Sequence, residues 1–262
     1  MPSVRRFSIA PVKGLALEHP AEIELTPSGV VEDRRFYLVD DTGRLVDRII
    51  AGRLVQVGAH IDPEATHLRM WFPDGRVIED DVHTTEPVVT SMYGRTVHGH
   101  RVDGPWAAAL EPFTGRRVHL VRTDRPGGTR EKHPATLLTD GSLDQLAQHL
   151  GTGEVDGRRF RMLVELEGGA AHEEDTWIGR RIELGETVLF ISKPVPRCAI
   201  TTQDPDTGVR DLDTLRTIIS YRGLRDGENG DFGVWGEVER PGRIRLGDVV
   251  TVRDDATLGR AR

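Results

Sequence analysis

Apolar runs in this chain are short, alternate with polar residues, and nearly all end at a turn signal. With 29 Gly and 15 Pro among 262 residues, the chain has little room for long helices. Val4–Ile9, Ala21–Leu25, Phe36–Val39, Leu54–Ala59, Leu68–Phe72, Arg76–Ile78, Thr96–Val102 and Val118–Arg122 read as strands. Pro27-Ser28-Gly29, Asp41-Thr42-Gly43 and Pro73-Asp74-Gly75 separate them as turns. Further on, Leu137–Thr139, Phe160–Leu166, Arg181–Leu184, Val188–Ile191, Phe232–Val238 and Val249–Val252 continue the strand pattern. Three helices interrupt it. Trp106–Phe113 has Pro105 at its start and Gly115 just past its end, Leu143–Leu150 stops at Gly151, and Leu212–Tyr221 repeats apolar residues on one face. The expected fold is mainly β with a few helices, arranged as two packed β-barrel-like domains. The boundaries read as residues 1–122 and 123–254, with a frayed tail at 255–262 and a mobile loop over Asp124–Lys132.

The net charge of −7 argues against nucleic-acid binding, which needs a basic face. No apolar signal core and no membrane-spanning run is present, so a cytoplasmic protein without a membrane partner is expected. The one cysteine, Cys198, cannot form an intrachain disulfide. It stands in Pro194-Val195-Pro196-Arg197-Cys198-Ala199-Ile200-Thr201-Thr202-Gln203-Asp204-Pro205-Asp206-Thr207-Gly208, where prolines and a turn restrict the backbone on both sides. A free cysteine commonly packs as a small hydrophobe. A thiolate held this way also suits one soft metal ion or one nucleophilic step.

Several familiar sites are absent: no Gly-x-Ser-x-Gly elbow, no Gly-Lys-Ser/Thr phosphate loop and no Gly-x-Gly-x-x-Gly turn. His98 and His100 read as solvated strand residues, and His172-Glu173-Glu174-Asp175 as an exposed acidic loop. What remains is a scatter of basic and hydroxyl residues at strand ends. Lys13 sits at the mouth of the first strand, Arg48 and Arg53 flank an apolar turn, and Arg159 and Arg161 should share one strand face. Thr139 and Ser142 open a helix whose N–H groups welcome an anion, although Ser142 reads equally as a simple N-cap. Together these groups could hold a phosphate-rich ligand.

Arg197-Cys198-Ala199-Ile200-Thr201-Thr202, Asp204-Pro205-Asp206-Thr207-Gly208 and Ser220-Tyr221-Arg222 resemble the MOSC (molybdenum cofactor sulfurase C-terminal) domain family. Pro11-Val12-Lys13-Gly14 and Asp33-Arg34-Arg35-Phe36-Tyr37-Leu38-Val39 resemble the N-terminal β-barrel domain of the same family, and the likeness extends from Val4 to Arg253. The resemblance is to members of the amidoxime-reducing type. It implies a pterin-based molybdenum cofactor (molybdopterin, Mo), with Cys198 as metal ligand beside the cofactor's own sulfurs. Lys13, Arg48, Arg161, Thr139 and Ser142 then fall where the family holds pterin and phosphate, with Arg53 and Arg159 as further basic candidates. Arg197 and Asp204 would orient the thiolate or the metal-bound oxygen, and Asp204 either relays protons or closes a turn.

Gly14 replaces a serine of animal relatives, and Met162-Leu163 stands where relatives carry Pro-Asn. The four-cysteine ferredoxin segment of some bacterial relatives is missing, which implies a separate electron-donor protein of ferredoxin, flavoprotein or cytochrome type. The implied activity is reduction of small N-hydroxylated compounds, with catalytic roles for Cys198 and Asp204. Persulfide sulfur transfer through Cys198 and a non-catalytic cofactor carrier remain as alternatives. Pyridoxal phosphate belongs to the fused sulfurase of other members, and no Schiff-base lysine setting is evident for it here.

Overall fold

The computed structural model describes residues 1–129 and 133–253. Among them, seventeen strands, three α-helices and four short 3-10 turns alternate along the chain. Two larger sheets dominate. The first has seven strands in the order Ser3–Phe7, Val164–Glu167, Ala135–Thr139, Asp231–Arg240, Thr187–Pro196, Arg181–Leu184 and Thr251–Arg253. All its pairs are antiparallel except Ala135–Thr139 with Val164–Glu167. That parallel pair needs a crossover, and the helix Asp140–Leu150 supplies it. The second sheet has five strands, in the order Leu45–Val46, Phe36–Val39, His119–Thr123, Arg95–Asp103 and His83–Met92. A three-stranded meander, Gly58–Ile61, His67–Trp71 and Val77–Asp81, packs with it. The expected mainly-β, barrel-like architecture is what forms.

Alternation decides which faces are buried. In Ala135–Thr139, Leu137 enters the core with Phe7, Leu166, Trp177 and Val234. Its neighbour Leu138 points to the opposite side, among Leu143, Leu146, Phe160, Ile218 and Phe232. The seven-stranded sheet is therefore covered on both faces, with the helices Asp140–Leu150 and Thr214–Arg222 on the second. A separate core of Phe36, Leu38, Leu54, Leu68, Met70, Trp106 and Leu120 lies under the five-stranded sheet.

The helix ends follow the sequence. Gly115 and Gly151 take left-handed conformations (φ 66° and 71°) just past their helices, where a side chain would be strained. Other elements depart from expectation. The strand over Leu54–Ala59 is a 3-10 turn, Gly52–Gln56, followed by the strand Gly58–Ile61; the turn buries both Leu54 and Val55, which alternation cannot. The strand over Phe160–Leu166 begins only at Val164, because Asp156 caps a 3-10 turn at Gly157–Phe160 and Arg161 is left-handed at φ 51°. His83–Met92 is a ten-residue edge strand without an apolar pattern. Only Thr90 and Met92 are buried in it, and Pro87 interrupts its Thr- and Val-rich run at a bulge, which hides the strand from a reading by apolar alternation. In the loop Asp124–Lys132, Thr129 is buried and its hydroxyl donates to the Arg34 carbonyl (2.7 Å); residues 130–132 and the tail 254–262 lie outside the described residues.

Candidate functional site

Where the prolines release the long strand Thr187–Pro196, the chain turns into a cleft. Neither Pro194 nor Pro196 has an N–H for the ladder, and the pairing with Asp231–Arg240 loses register between them. Cys198 follows in extended backbone (φ −123°, ψ 175°) at the head of the 3-10 turn Ala199–Thr202, and its side chain is exposed. The Thr201 hydroxyl shares a 2.8 Å hydrogen bond with the Thr214 hydroxyl, which pins this turn to the helix Thr214–Arg222. The thiol opens into a cleft of about 590 Å³. Among the described residues, Lys13, Arg34, Arg48, Arg95, Arg161 and Arg197 line that cleft, with Asp33 and Asp47 as its acidic residues. A chain with a net charge of −7 thus concentrates positive charge around its one cysteine.

Arg48 is the most informative of these. It is 2% exposed, and only its Nη2 finds a partner, donating to the Arg159 carbonyl at 3.1 Å. Its Nε and Nη1 are buried with no acceptor. Burial pulls its pKa down to about 10, opposed by the nearby charges of Cys198 and Asp47. Arg161 donates to the Leu15 carbonyl (2.8 Å) and is likewise held well below the ordinary guanidinium range, by burial first and then by Arg48 and Arg34. A buried guanidinium that keeps unpartnered N–H groups beside another cation is costly. An anionic ligand with several acceptor oxygens would relieve that cost.

The wall around them is held by main-chain contacts. Arg197 donates from Nε to the Phe232 carbonyl (2.8 Å), from Nη1 to the Phe160 carbonyl (3.1 Å) and from Nη2 to the Met162 sulfur (2.6 Å). The Met162 thioether thus fills a place in the fork of the arginine preceding Cys198. Gly14 is left-handed (φ 93°), and a Cβ there would stand 3.2 Å from the Arg48 nitrogen. Lys13 donates to the Thr129 carbonyl at 3.2 Å and lies 5.3 Å from the Tyr93 ring centroid. Tyr93 donates to Asp47 at 2.6 Å. Arg34, Tyr93 and Arg161 all line the cleft with positive φ (57°, 50° and 51°), a strain tolerated where function needs a side chain placed.

Lys13, Arg48, Arg161, Arg197 and Cys198 therefore converge, as the sequence led us to expect. The other candidates stand elsewhere. Arg159 does not share a strand face with Arg161, because both leave the strand. It is buried behind the cleft in a bidentate pair with Asp211 (2.6 and 2.7 Å) and supports Arg48 through its carbonyl. Arg53 is exposed, stacked 5.4 Å from the Phe113 ring, and does not line the cleft. Asp204 closes its own turn, accepting from the Asp206 and Thr207 backbone (3.1 and 2.8 Å) and the Thr207 hydroxyl (2.7 Å). Burial works against its ionisation, but these donors outweigh it and hold the carboxyl below its ordinary range.

Thr139 and Ser142 are fully buried and meet an acidic group, but one from their own chain. Glu174 accepts from Thr139 (2.5 Å) and Ser142 (2.7 Å), and burial raises its pKa against those two bonds. The stretch expected as an exposed acidic loop is thus a 3-10 turn, Glu173–Trp177, with Glu174 fully buried. His100 pairs with Asp124 at 2.9 Å on the surface. Among the described residues, no group of three or more metal-ligating side chains occurs, and no helix is long and apolar enough to cross a membrane.

The sequence reading missed Asp47, Tyr93 and Arg34 as cleft residues. Only Arg34 carried a signal, lying within the Asp33–Val39 stretch; Tyr93 lies on a hairpin whose first strand alternates in burial only over Val88–Met92.

Comparison with known proteins gives concordant matches. A family model described as the MOSC domain matches residues 96–251, and one described as the MOSC N-terminal beta barrel domain matches residues 1–107. "Mitochondrial amidoxime reducing component 2" of Macaca fascicularis is 35% identical over 95% of this chain and 82% of its own length. "Mitochondrial amidoxime-reducing component 1" of Mus musculus is 25% identical over 95% of this chain and 81% of its own. "Molybdenum cofactor sulfurase" of Caenorhabditis briggsae is 23% identical over 90% of this chain but only 33% of its own length.

Proposed function

The chain belongs to the MOSC domain family, and on that premise we propose that its cleft holds a molybdenum cofactor and reduces small N-hydroxylated compounds. The observation that carries this reading is an exposed, soft thiol on Cys198 in the same cleft as a buried arginine, Arg48, that has two unspent donor nitrogens. The donor set fits the group. Cys198 would ligate the metal, and a single protein thiolate suffices because the pterin brings its own sulfurs. Arg48, Arg161 and Lys13 would hold the phosphate and pterin, with Arg34 beside them in its ion pair with Asp33. Arg197 would fix the backbone that presents the thiol.

When bound, such a cofactor supplies a metal able to accept the substrate oxygen in a two-electron reduction. The chain's part is to bind, orient and screen. The basic cleft steadies the anionic cofactor, while Met162, Leu163, Val195 and Trp235 make an apolar wall against which a small substrate would lie. The relatives named amidoxime-reducing components support amidoximes, which are N-hydroxylated amidines, as the substrate class. Electrons would come from a separate redox protein.

The reading is tested by turnover. Full-length protein from a cofactor-competent host should reduce benzamidoxime with a chemical electron donor, and Cys198→Ala should lose at least about a hundredfold in rate. Full turnover by Cys198→Ala would overturn the ligand assignment. A reducible extra sulfur on Cys198, seen by intact mass with no reductase activity, would instead assign the thiol to sulfur transfer.

A further inference from the structure

The segment after the cysteine is fastened to both sides of the cleft at once. Gln203 is buried and donates from its side-chain nitrogen to the Arg48 carbonyl at 2.9 Å. Asp206 and Asp211 each form a bidentate pair, with Arg158 (2.8 and 2.8 Å) and Arg159 (2.6 and 2.7 Å). Between these ties the backbone crosses that of the turn after Arg48. A Cβ built on Gly52 would stand 2.4 Å from the Gly208 carbonyl oxygen, and one built on Gly208 would stand 2.1 Å from the Gly52 oxygen. No side chain fits there, and Gly208 is also left-handed at φ 74°. Two main chains meet here with nothing between them.

From this we infer that the Gly52–Gly208 crossing, with the Gln203 tie, is the positioning device that holds the Cys198 turn at a fixed distance from the Arg48 guanidinium. The logic is mechanical. Arg48 lies four residues before Gly52, and its own carbonyl is gripped by Gln203, five residues after Cys198. Without the crossing, the two segments would approach only through side chains. Close backbone contact leaves no rotamer freedom and sets the spacing of a cation and a thiol rigidly. The strap is dense in ion pairs, but Arg158–Asp206 is exposed and contributes little by itself. The inference rests on the cleft's geometry and not on which group fills it.

The single cysteine makes a clean reporter, because thiol alkylation, followed as loss of free thiol, reads Cys198 alone. Iodoacetate is an anion and iodoacetamide is neutral. Both consume the same thiolate, so their rate ratio cancels ionisation and reads the local positive field. The full chain is purified from a host lacking the cofactor, and the ratio in denaturant serves as the field-free reference. Native protein should favour iodoacetate over that reference, and Arg48→Met should remove much of the preference. Gly52→Ala should lower the ratio at least about threefold, because its Cβ forces the strap away from the Arg48 turn. Gln203→Leu, which keeps volume and removes the tie, should lower it in the same direction. Gly153→Ala, where a Cβ meets nothing within 4 Å, should leave it unchanged. Circular dichroism confirms folding of each variant, and if Gly52→Ala does not fold, Gln203→Leu decides. A native ratio in folded Gly52→Ala, or in Gln203→Leu when it alone folds, would overturn the inference. Molybdenum content is measured separately, so loss of the functional reading and loss of this one are told apart.

Discussion

Two places in this molecule gather polar groups suited to an anion, and they end differently. At the start of the helix Asp140–Leu150, the Thr139 and Ser142 hydroxyls are used up by the buried Glu174 carboxyl. In the cleft, Arg48 is as deeply buried, yet its Nε and Nη1 have no acceptor. Both places looked alike from residue type and position. The difference is satisfaction: the first is a finished internal network, and the second leaves buried donors without a protein acceptor beside a cleft.

That contrast gives opposite consequences for removing a polar group. Glu174→Ala should destabilise the fold by about 3 kcal/mol, since it removes the acceptor shared by two buried hydroxyls and opens a cavity, and it should leave molybdenum content unchanged. Chemical denaturation and metal analysis of the same sample check both halves. Arg48→Met should do the reverse. Stability of the metal-free protein should stay level or rise by about 1 kcal/mol, because a buried, half-satisfied cation is replaced by an apolar chain of similar length. Cofactor retention should meanwhile fall about tenfold or more, a function-for-stability exchange familiar at binding sites. An Arg48→Met variant that lost stability yet kept its metal would erase the contrast.

Burial lifts the Glu174 carboxyl above its ordinary value of 4.5, so the folded protein keeps a proton that the unfolded chain releases. Its contribution to stability is full below that ordinary value and is lost as pH rises through the folded one. Glu174→Gln should remove this descending limb from a plot of stability against pH, and a plot unchanged by the substitution would contradict the burial argument. The smallest effect belongs to Arg53, which sits on the same turn as Arg48's neighbours but faces solvent over Phe113. Arg53→Ala should shift stability by less than about 0.5 kcal/mol and leave metal content at the parent level.

Much of this was legible in the residues. Short alternating runs and Gly/Pro turns gave the mainly-β fold, and the segment from Pro194 to Gly208 singled out Cys198 together with its family. What stayed hidden depended on geometry that no local pattern records. Arg161 breaks the strand it was expected to occupy by turning left-handed, and that turn sends Arg159 behind the cleft and Arg161 into it. The edge strand His83–Met92 alternates in burial only over Val88–Met92, behind an exposed first half and Pro87, and Tyr93 in the turn that follows was missed with it. Glu174 looked like surface because the hydroxyls that satisfy it lie 35 and 32 residues away.

We propose that the cleft beside Cys198 is a molybdenum site completed by Arg48. The most direct measurement is metal content by inductively coupled plasma mass spectrometry on protein from a cofactor-competent host. Molybdenum near one per chain is expected for the parent, near zero for Cys198→Ala, and strongly reduced for Arg48→Met. Molybdenum that is absent from the parent, or equal in the parent and Cys198→Ala, would contradict it.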